Sequence, residues 1–330
     1  MSNYSSSQVA TVRRDSGELA QELPLRVPLR RVLCAARTLK GAPEALRRAS
    51  SMVATRHAKL RLLHVLEEPL FWSPLFPQLS TEVASSQVDR CTALVEELWR
   101  ICSTVTSGSD GTLDTEDVIL RSGDFINEVT QAAEAMGADL IILADEEGLS
   151  GKEATRIAQQ TQVPVLIARP PRASDVIVAA TDLSDSRYPI IRGAARLCRQ
   201  LAARLVLLHN VPPANASAVM PEPWLPVFLE DTPDLQKVWQ RLRSLADRYS
   251  PEAGAVIASQ IDAADAILSA ARSRDADIVV LGTRHRTWLD RLLHGSIASR
   301  VVDTVKGSVL IVPLDGAIKI RVGAPAFAPA

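Results

Sequence analysis

The chain nearly repeats itself, and that repeat constrains its fold more than any other feature. Leu60-Arg61-Leu62-Leu63-His64-Val65 returns 145 residues later as Leu205-Val206-Leu207-Leu208-His209-Asn210. The same offset carries Val32-Leu33-Cys34-Ala35-Ala36 onto Ile177-Val178-Ala179-Ala180-Thr181 without a gap. Ala138-Asp139-Leu140-Ile141-Ile142-Leu143-Ala144 returns as Ala276-Asp277-Ile278-Val279-Val280-Leu281-Gly282, and Val165-Leu166-Ile167 as Val309-Leu310-Ile311. Solenoid units are only about 20–50 residues long because each leans on its neighbours for a core. A repeat of 145 residues is the length of a whole domain, so the chain is read as two tandem copies of one domain. Residues 28–170 form the first copy and 175–314 the second, with Pro170-Pro171-Arg172-Ala173-Ser174 as the linker region. Residues 1–27 and 315–330 read as tails.

Within each copy, short apolar runs alternate with stretches of helical period. In the second copy Val176–Thr181, Leu205–His209, Val256–Ile261, Ile278–Gly282 and Val309–Val312 read as strands. The helices between them fall at Arg187–Ala203, Leu235–Tyr249, Ala266–Arg274 and Ser296–Lys306, the last capped by Ser296 and ended by Gly307. Continuous apolar strands suit burial on both faces, and aromatics are only 4% of the chain, so Ala, Val, Leu and Ile supply the core. Strand–helix alternation implies parallel pairing with right-handed crossovers. The expected fold is α/β: two tandem doubly wound domains, each a five-stranded parallel sheet flanked by helices.

Charge and cysteine usage exclude several classes. The chain has 37 Lys and Arg against 38 Asp and Glu, a formal charge of −1, whereas a nucleic-acid or anionic-membrane binder carries a basic surplus. No apolar run reaches the roughly 18 residues of a membrane span. The polar N-terminus lacks the apolar stretch of a signal peptide, so a cytoplasmic location is expected. Cys34, Cys91, Cys102 and Cys198 include no C-x-x-C pair and are expected to be buried reduced thiols. Cys91 and Cys102 lie about three helical turns apart and should share a face. No metal-ligand cluster, nucleophile elbow or Ser/His/Asp arrangement stands out, so neither catalytic nor metal-binding residues are assigned. His64 and His209, at equivalent strand ends, read as structural.

In an open parallel sheet, ligands bind beyond the carboxyl ends of the strands. That rule selects Thr181-Asp182, Asn210 and the connection from Gly282 to Ser296. The connection begins at a strand end and finishes at a helix N-terminus. Gly295 permits close backbone approach, Ser296 adds a hydroxyl, and Arg284, His285 and Arg286 add donors, a set that suits an anion. A plain strand-to-helix connection with solvated arginines fits the same residues. Asp182 can equally cap the following helix.

The connection resembles the nucleotide loop of the universal stress protein family, G-x2-G-x9-G-[S/T]. Gly282, both gaps and Gly295-Ser296 match, and His285 stands in place of the second glycine. Thr181-Asp182 after the first strand, Leu207-Leu208-His209 and Ala276 to Gly282 are also similar to that family, and the likeness spans about 28–314 as two copies. The resemblance implies a Rossmann-like, adenine nucleotide alpha hydrolase-like fold, and ATP with Mg²⁺ bound in the second copy. It implies an adenine contact at Asp182, backbone contacts around Ala180, Thr181 and Asn210, and phosphate contacts from Gly282, Arg284, His285, Gly295, Ser296 and Ile297. It further implies a non-enzymatic stress-response protein with adenine nucleotide, a second subunit and an unidentified protein as partners. A weak ATP hydrolase, and an interaction module that has lost nucleotide binding, are the alternatives. At His285 the ring either fills the phosphate space or, when protonated, donates to it.

The first copy departs from this pattern. Arg37 replaces Asp182, and the loop equivalent, Ala144-Asp145-Glu146-Glu147-Gly148-Leu149-Ser150-Gly151-Lys152, is shorter and acidic. Repulsion of phosphate is expected there, so this copy should not bind nucleotide. Pro69 to Pro77 and Pro221 to Phe228 are Pro-rich aromatic segments, read as loops packed on their own domains. The resemblance places the fifth strand of each copy at a sheet edge. Two such apolar edges on one chain should pair with each other and form an internal pseudo-dimer.

Overall fold

The computed structural model describes residues 29–53, 58–67, 80–106, 113–146, 148–183, 188–211, 233–250, 252–283 and 297–314. The first copy runs β1 (Arg31–Ala36), α1 (Ala42–Met52), β2 (Ala58–Leu66), α2 (Ser80–Thr106), β3 (Leu113–Ser122), α3 (Phe125–Met136), β4 (Leu140–Ala144), α4 (Gly151–Thr161) and β5 (Val165–Ala168). The second runs β6 (Val176–Ala180), α5 (Pro189–Leu201), β7 (Arg204–Asn210), α6 (Pro233–Tyr249), β8 (Gly254–Ala258), α7 (Ala263–Ser273), β9 (Ile278–Thr283), α8 (Ile297–Thr304) and β10 (Ser308–Pro313). Both tails and both Pro-rich aromatic segments lie outside the described residues.

The ten strands form one sheet in the order β3-β2-β1-β4-β5-β10-β9-β6-β7-β8. Within each copy every pairing is parallel. At the seam β5 and β10 run antiparallel, with Val165 opposite Ile311, Leu166 opposite Leu310 and Ile167 opposite Val309. The two apolar edges expected to pair do so, and each covers a row of backbone groups the other would leave open. Side chains alternate across the sheet, as the two-residue period of a strand requires. Leu166 and Leu310 join a core under α1, α2, α5 and α6, while Val165, Ile167, Val309 and Ile311 join one under α3, α4, α7 and α8. Both cores run continuously through the seam.

Polar contacts fix the same junction. Arg169, just past β5, donates to the carbonyls of Val302 (2.8 Å) and Gly307 (3.0 Å) in the second copy and to Asp145 (2.8 Å) in its own. In the linker, the Arg172 N–H donates to Asp277 Oδ1 (2.8 Å) and the Ser174 hydroxyl to the Asp275 carbonyl (2.5 Å). Arg48 on α1 makes a two-pronged buried bond to Asp277, 2.8 Å and 2.5 Å.

Several local expectations need correction. The third strand of the second copy is Gly254–Ala258, and Ile261 is 61% exposed. Pairing with β7 ends at Asn210–Ala258, where the Asn210 side chain ties back the Gln260 backbone. Asp262 then caps α7, which starts at Ala263. Helix α8 is shorter than expected, and Gly307 is not its left-handed cap; a Cβ there would press on the Ala276 carbonyl oxygen. Cys34, Cys102 and Cys198 are buried and outside any disulfide, but Cys91 is only half-buried, so α2 does not place both of its cysteines in the core. Burial pushes the Cys102 thiol up to about 11 and Cys198 up to about 12, which keeps both protonated and unreactive.

Candidate functional site

Strand β6 lies between β9 and β7, so the chain leaves it in both directions and opens a crevice at its carboxyl end. Ala180, Thr181 and Asp182 sit there beside Gly282, the next-to-last residue of β9. Thr181 is heavily engaged. Its N–H donates to the Leu208 carbonyl (2.9 Å), its hydroxyl accepts from the Leu183 N–H (3.1 Å), and its carbonyl lies 2.8 Å from His209 Nδ1. The hydroxyl bond holds a tight turn in which buried Leu183 adopts a left-handed backbone, φ 58°. Arg241 on α6 clamps the turn through the Leu183 carbonyl (3.2 Å) and the Tyr188 hydroxyl (2.6 Å). Asp182, between Thr181 and Leu183, is exposed.

Asp182 is not the helix cap that its sequence position allows. Helix α5 starts at Pro189, with Tyr188 at the N-cap and no side-chain cap bond. Asn210 ends β7 one strand away, with its amide committed to Gln260 at 3.0 Å in both directions. At Gly282 a Cβ would come within 2.6 Å of Ile190 and Leu314, so the glycine lets those side chains close over the strand end. Ile297 opens α8, whose first-turn N–H groups have no partner within the helix. Arg284, His285, Gly295 and Ser296 lie outside the described residues. An acceptor at Asp182 and helix N–H donors at Ile297 are chemistries that suit a nucleotide's base and phosphates. Sequence reasoning missed Leu183 and Arg241, which bear no periodic signal. His209 was visible as the repeat partner of His64 and within the family-like Leu207-Leu208-His209, but not as a partner of Thr181.

The first copy fills the equivalent place with its own side chains. The Glu146 carboxylate accepts from the backbone N–H groups of Arg37 and Thr38, both at 3.0 Å. The Arg37 guanidinium lies 4.2 Å over the Phe125 ring, 2.6 Å from Glu153 and 3.0 Å from Glu67. Asp145 is paired with Arg169. Among the described residues, Asp145 and Glu146 are committed to internal partners, and Glu146 and Arg37 occupy the strand end.

Burial raises the Glu146 carboxyl above its ordinary range, against the lowering effect of the Thr38 and Arg37 N–H groups and the Arg37 charge. A carboxyl raised on folding weakens the fold as pH climbs from the ordinary glutamate range through the raised value. Glu146→Gln retains an acceptor and has no such titration. Urea melts from about pH 4 to 8 should show wild type losing stability relative to this variant as pH rises. A pH-independent difference would place the carboxyl's ionisation outside the folding balance.

Among the described residues no three His, Cys, Asp or Glu side chains gather as a metal site, and no helix is long and apolar enough to cross a membrane. Two parallel-sheet units joined edge to edge define a tandem doubly wound α/β protein. The chain belongs to the universal stress protein family, whose model matches residues 28–169 and again 174–313. Its fold is similar to that of a universal stress protein from Archaeoglobus fulgidus DSM 4304, at 14% identity and TM-score 0.59, covering 86% of this chain and 96% of that one. A Pseudomonas aeruginosa UCBPP-PA14 protein assigned to the same class aligns at 19% identity and TM-score 0.53, covering 87% and 94%. A universal stress protein solved in complex with cAMP aligns at 22% identity and TM-score 0.33, over 44% of this chain and 98% of its own. Comparison with curated proteins gives no match.

Proposed function

We propose that the second copy binds an adenine nucleotide, ATP with Mg²⁺, and that the chain is a non-enzymatic cytoplasmic stress-response protein acting through contacts with partners. The observation that carries this reading is the asymmetry between the crevices. Among the described residues, Glu146 and Arg37 fill the strand end of the first copy, whereas the equivalent end of the second carries exposed Asp182. Asp182 is assigned to accept from the adenine amino group or a ribose hydroxyl. The N–H groups at Gly282 and at the start of α8, with Arg284, His285, Gly295 and Ser296, are assigned to the phosphates. Bound Mg²⁺ would supply charge neutralisation of those phosphates.

Calorimetric titration with ATP·Mg should give one site per chain. Asp182→Ala removes a charge-assisted hydrogen bond worth roughly 1.5–3 kcal/mol and should weaken binding by about tenfold or more. Arg37→Ala should leave affinity unchanged. Two equivalent sites would refute the assignment. Sustained phosphate release would select the hydrolase reading. The reading in which binding has been lost draws on the internal commitment of Thr181 and Asn210, and a titration without heat at any temperature would select it.

A further inference from the structure

We propose that the first copy braces the nucleotide loop of the second, with α4 as the brace and Gln159 as its positioning residue. This rests on the reading of the 282–297 connection as the phosphate loop. Helix α4 belongs to the first copy, yet it packs against α8, β9 and β10 of the second. Strand β9 is where the connection begins and α8 is where it ends.

The helix grips both. Near its C-terminus, Gln159 Nε2 donates to the buried Thr283 Oγ1 at 3.0 Å, one residue past Gly282. At its N-terminus, the Gly151 N–H donates to Asp303 Oδ1 of α8 at 2.9 Å. A Cβ on Gly151 would stand 2.6 Å from both Cα and O of Ser299 and 2.9 Å from Val302 Cβ. The first two are backbone atoms, so α8 itself would have to move. Eight residues of helix span about 12 Å, so one rigid rod sets the distance between the two grips.

The filled crevice of the first copy anchors that rod. Glu153 closes a capping box with Ser150 at the start of α4 and reaches 2.6 Å to Arg37. The residues that shut the first crevice thus hold the helix that steadies the second. Gly151 is thus a helix–helix contact.

The test uses the full chain and three variants, Gln159→Leu, Thr283→Val and the double. ATP·Mg affinity is read by calorimetry, amide exchange is followed across 278–304, and thermal melts serve as control. The expected result is a fivefold or greater loss of affinity and a comparable acceleration of exchange in each single variant, with melting unchanged. The double should lose less than the sum of the two singles, because both remove the Gln159–Thr283 bond. Gly151→Ala should reproduce the faster exchange by displacing α8. Unchanged exchange in Gln159→Leu, or additive losses in the double, would overturn the brace. If the wild-type chain takes up no ATP, the nucleotide reading fails, and the exchange data alone then decide the brace.

Discussion

Replacing Leu310 by aspartate should unfold the seam and drive the chain into aggregates. Leu310 is fully buried, faces Leu166 across the antiparallel pair and sits in β10, which is hydrogen-bonded on both edges. A carboxylate there would enter an apolar core shared by both copies. An unpaired buried polar or charged group costs several kcal/mol, against a total domain stability of roughly 5–15 kcal/mol. The β5 and β9 edges would then be left with unpaired backbone groups, a template for intermolecular pairing. Light scattering after size-exclusion chromatography should show large species, or no recoverable protein. Exposed Lys306, four residues earlier, supplies the control: Lys306→Asp should shift stability by no more than about 0.5 kcal/mol. A monodisperse Leu310→Asp chain with native melting would show that the seam does not hold the molecule together.

The second large effect belongs to Arg48→Met. Arg48 and Asp277 are 5% and 8% exposed and come from different copies, α1 of the first and the entry to β9 of the second. Removing the guanidinium leaves the Asp277 carboxylate buried with the Arg172 N–H and no counter-charge. Breaking one side of a buried pair typically costs about 3–5 kcal/mol, because the remaining charge has lost its solvent and its partner. The double variant Arg48→Met, Asp277→Asn should recover most of that loss, since the amide still accepts from Arg172 and carries no charge. Urea unfolding of the three chains measures this directly. A loss under about 1 kcal/mol for Arg48→Met, or a double no better than the single, would mean that the pair is not what couples α1 to β9.

The fold was legible because its main determinants are local and repeated. Apolar runs such as Val309 to Val312 signal strands wherever they occur, and the 145-residue offset turned one reading into two. Even the seam followed, once the resemblance placed two apolar fifth strands at sheet edges on one chain. Ends of elements were less legible, because tertiary bonds decide them: β8 stops where Asn210 captures Gln260, and α7 starts where Asp262 caps it. In the crevice, the switch-point rule selected Thr181, Asp182 and Gly282 without any contact information, and these residues stand at the carboxyl ends of β6 and β9. It could not find Arg241, which acts across 58 positions on Leu183, or Gln159, which acts across 124 on Thr283. Such partners leave no period in the sequence. The acidic loop of the first copy was visible as charge, but charge alone did not reveal that Glu146 turns inward to the N–H groups of Arg37 and Thr38.

The seam also imposes an order in time. The strand that covers β5 is the last of the ten, and its partner residues lie far apart in the chain (310 − 166 = 144 positions). Translation at about 5–20 residues per second delivers β10 roughly 7–29 seconds after β5 has left the ribosome. For that interval the first copy is complete in sequence but carries a bare apolar edge. The nearest other source of the covering strand is a second nascent chain on the same message. Its β10 has the same sequence and the same register, so an exchanged pair of chains competes with correct closure. The covalent tether wins as long as the second copy folds quickly once it emerges. Closure of the seam therefore has to wait for the last strand, a requirement that a protein of two separate sheets would not have.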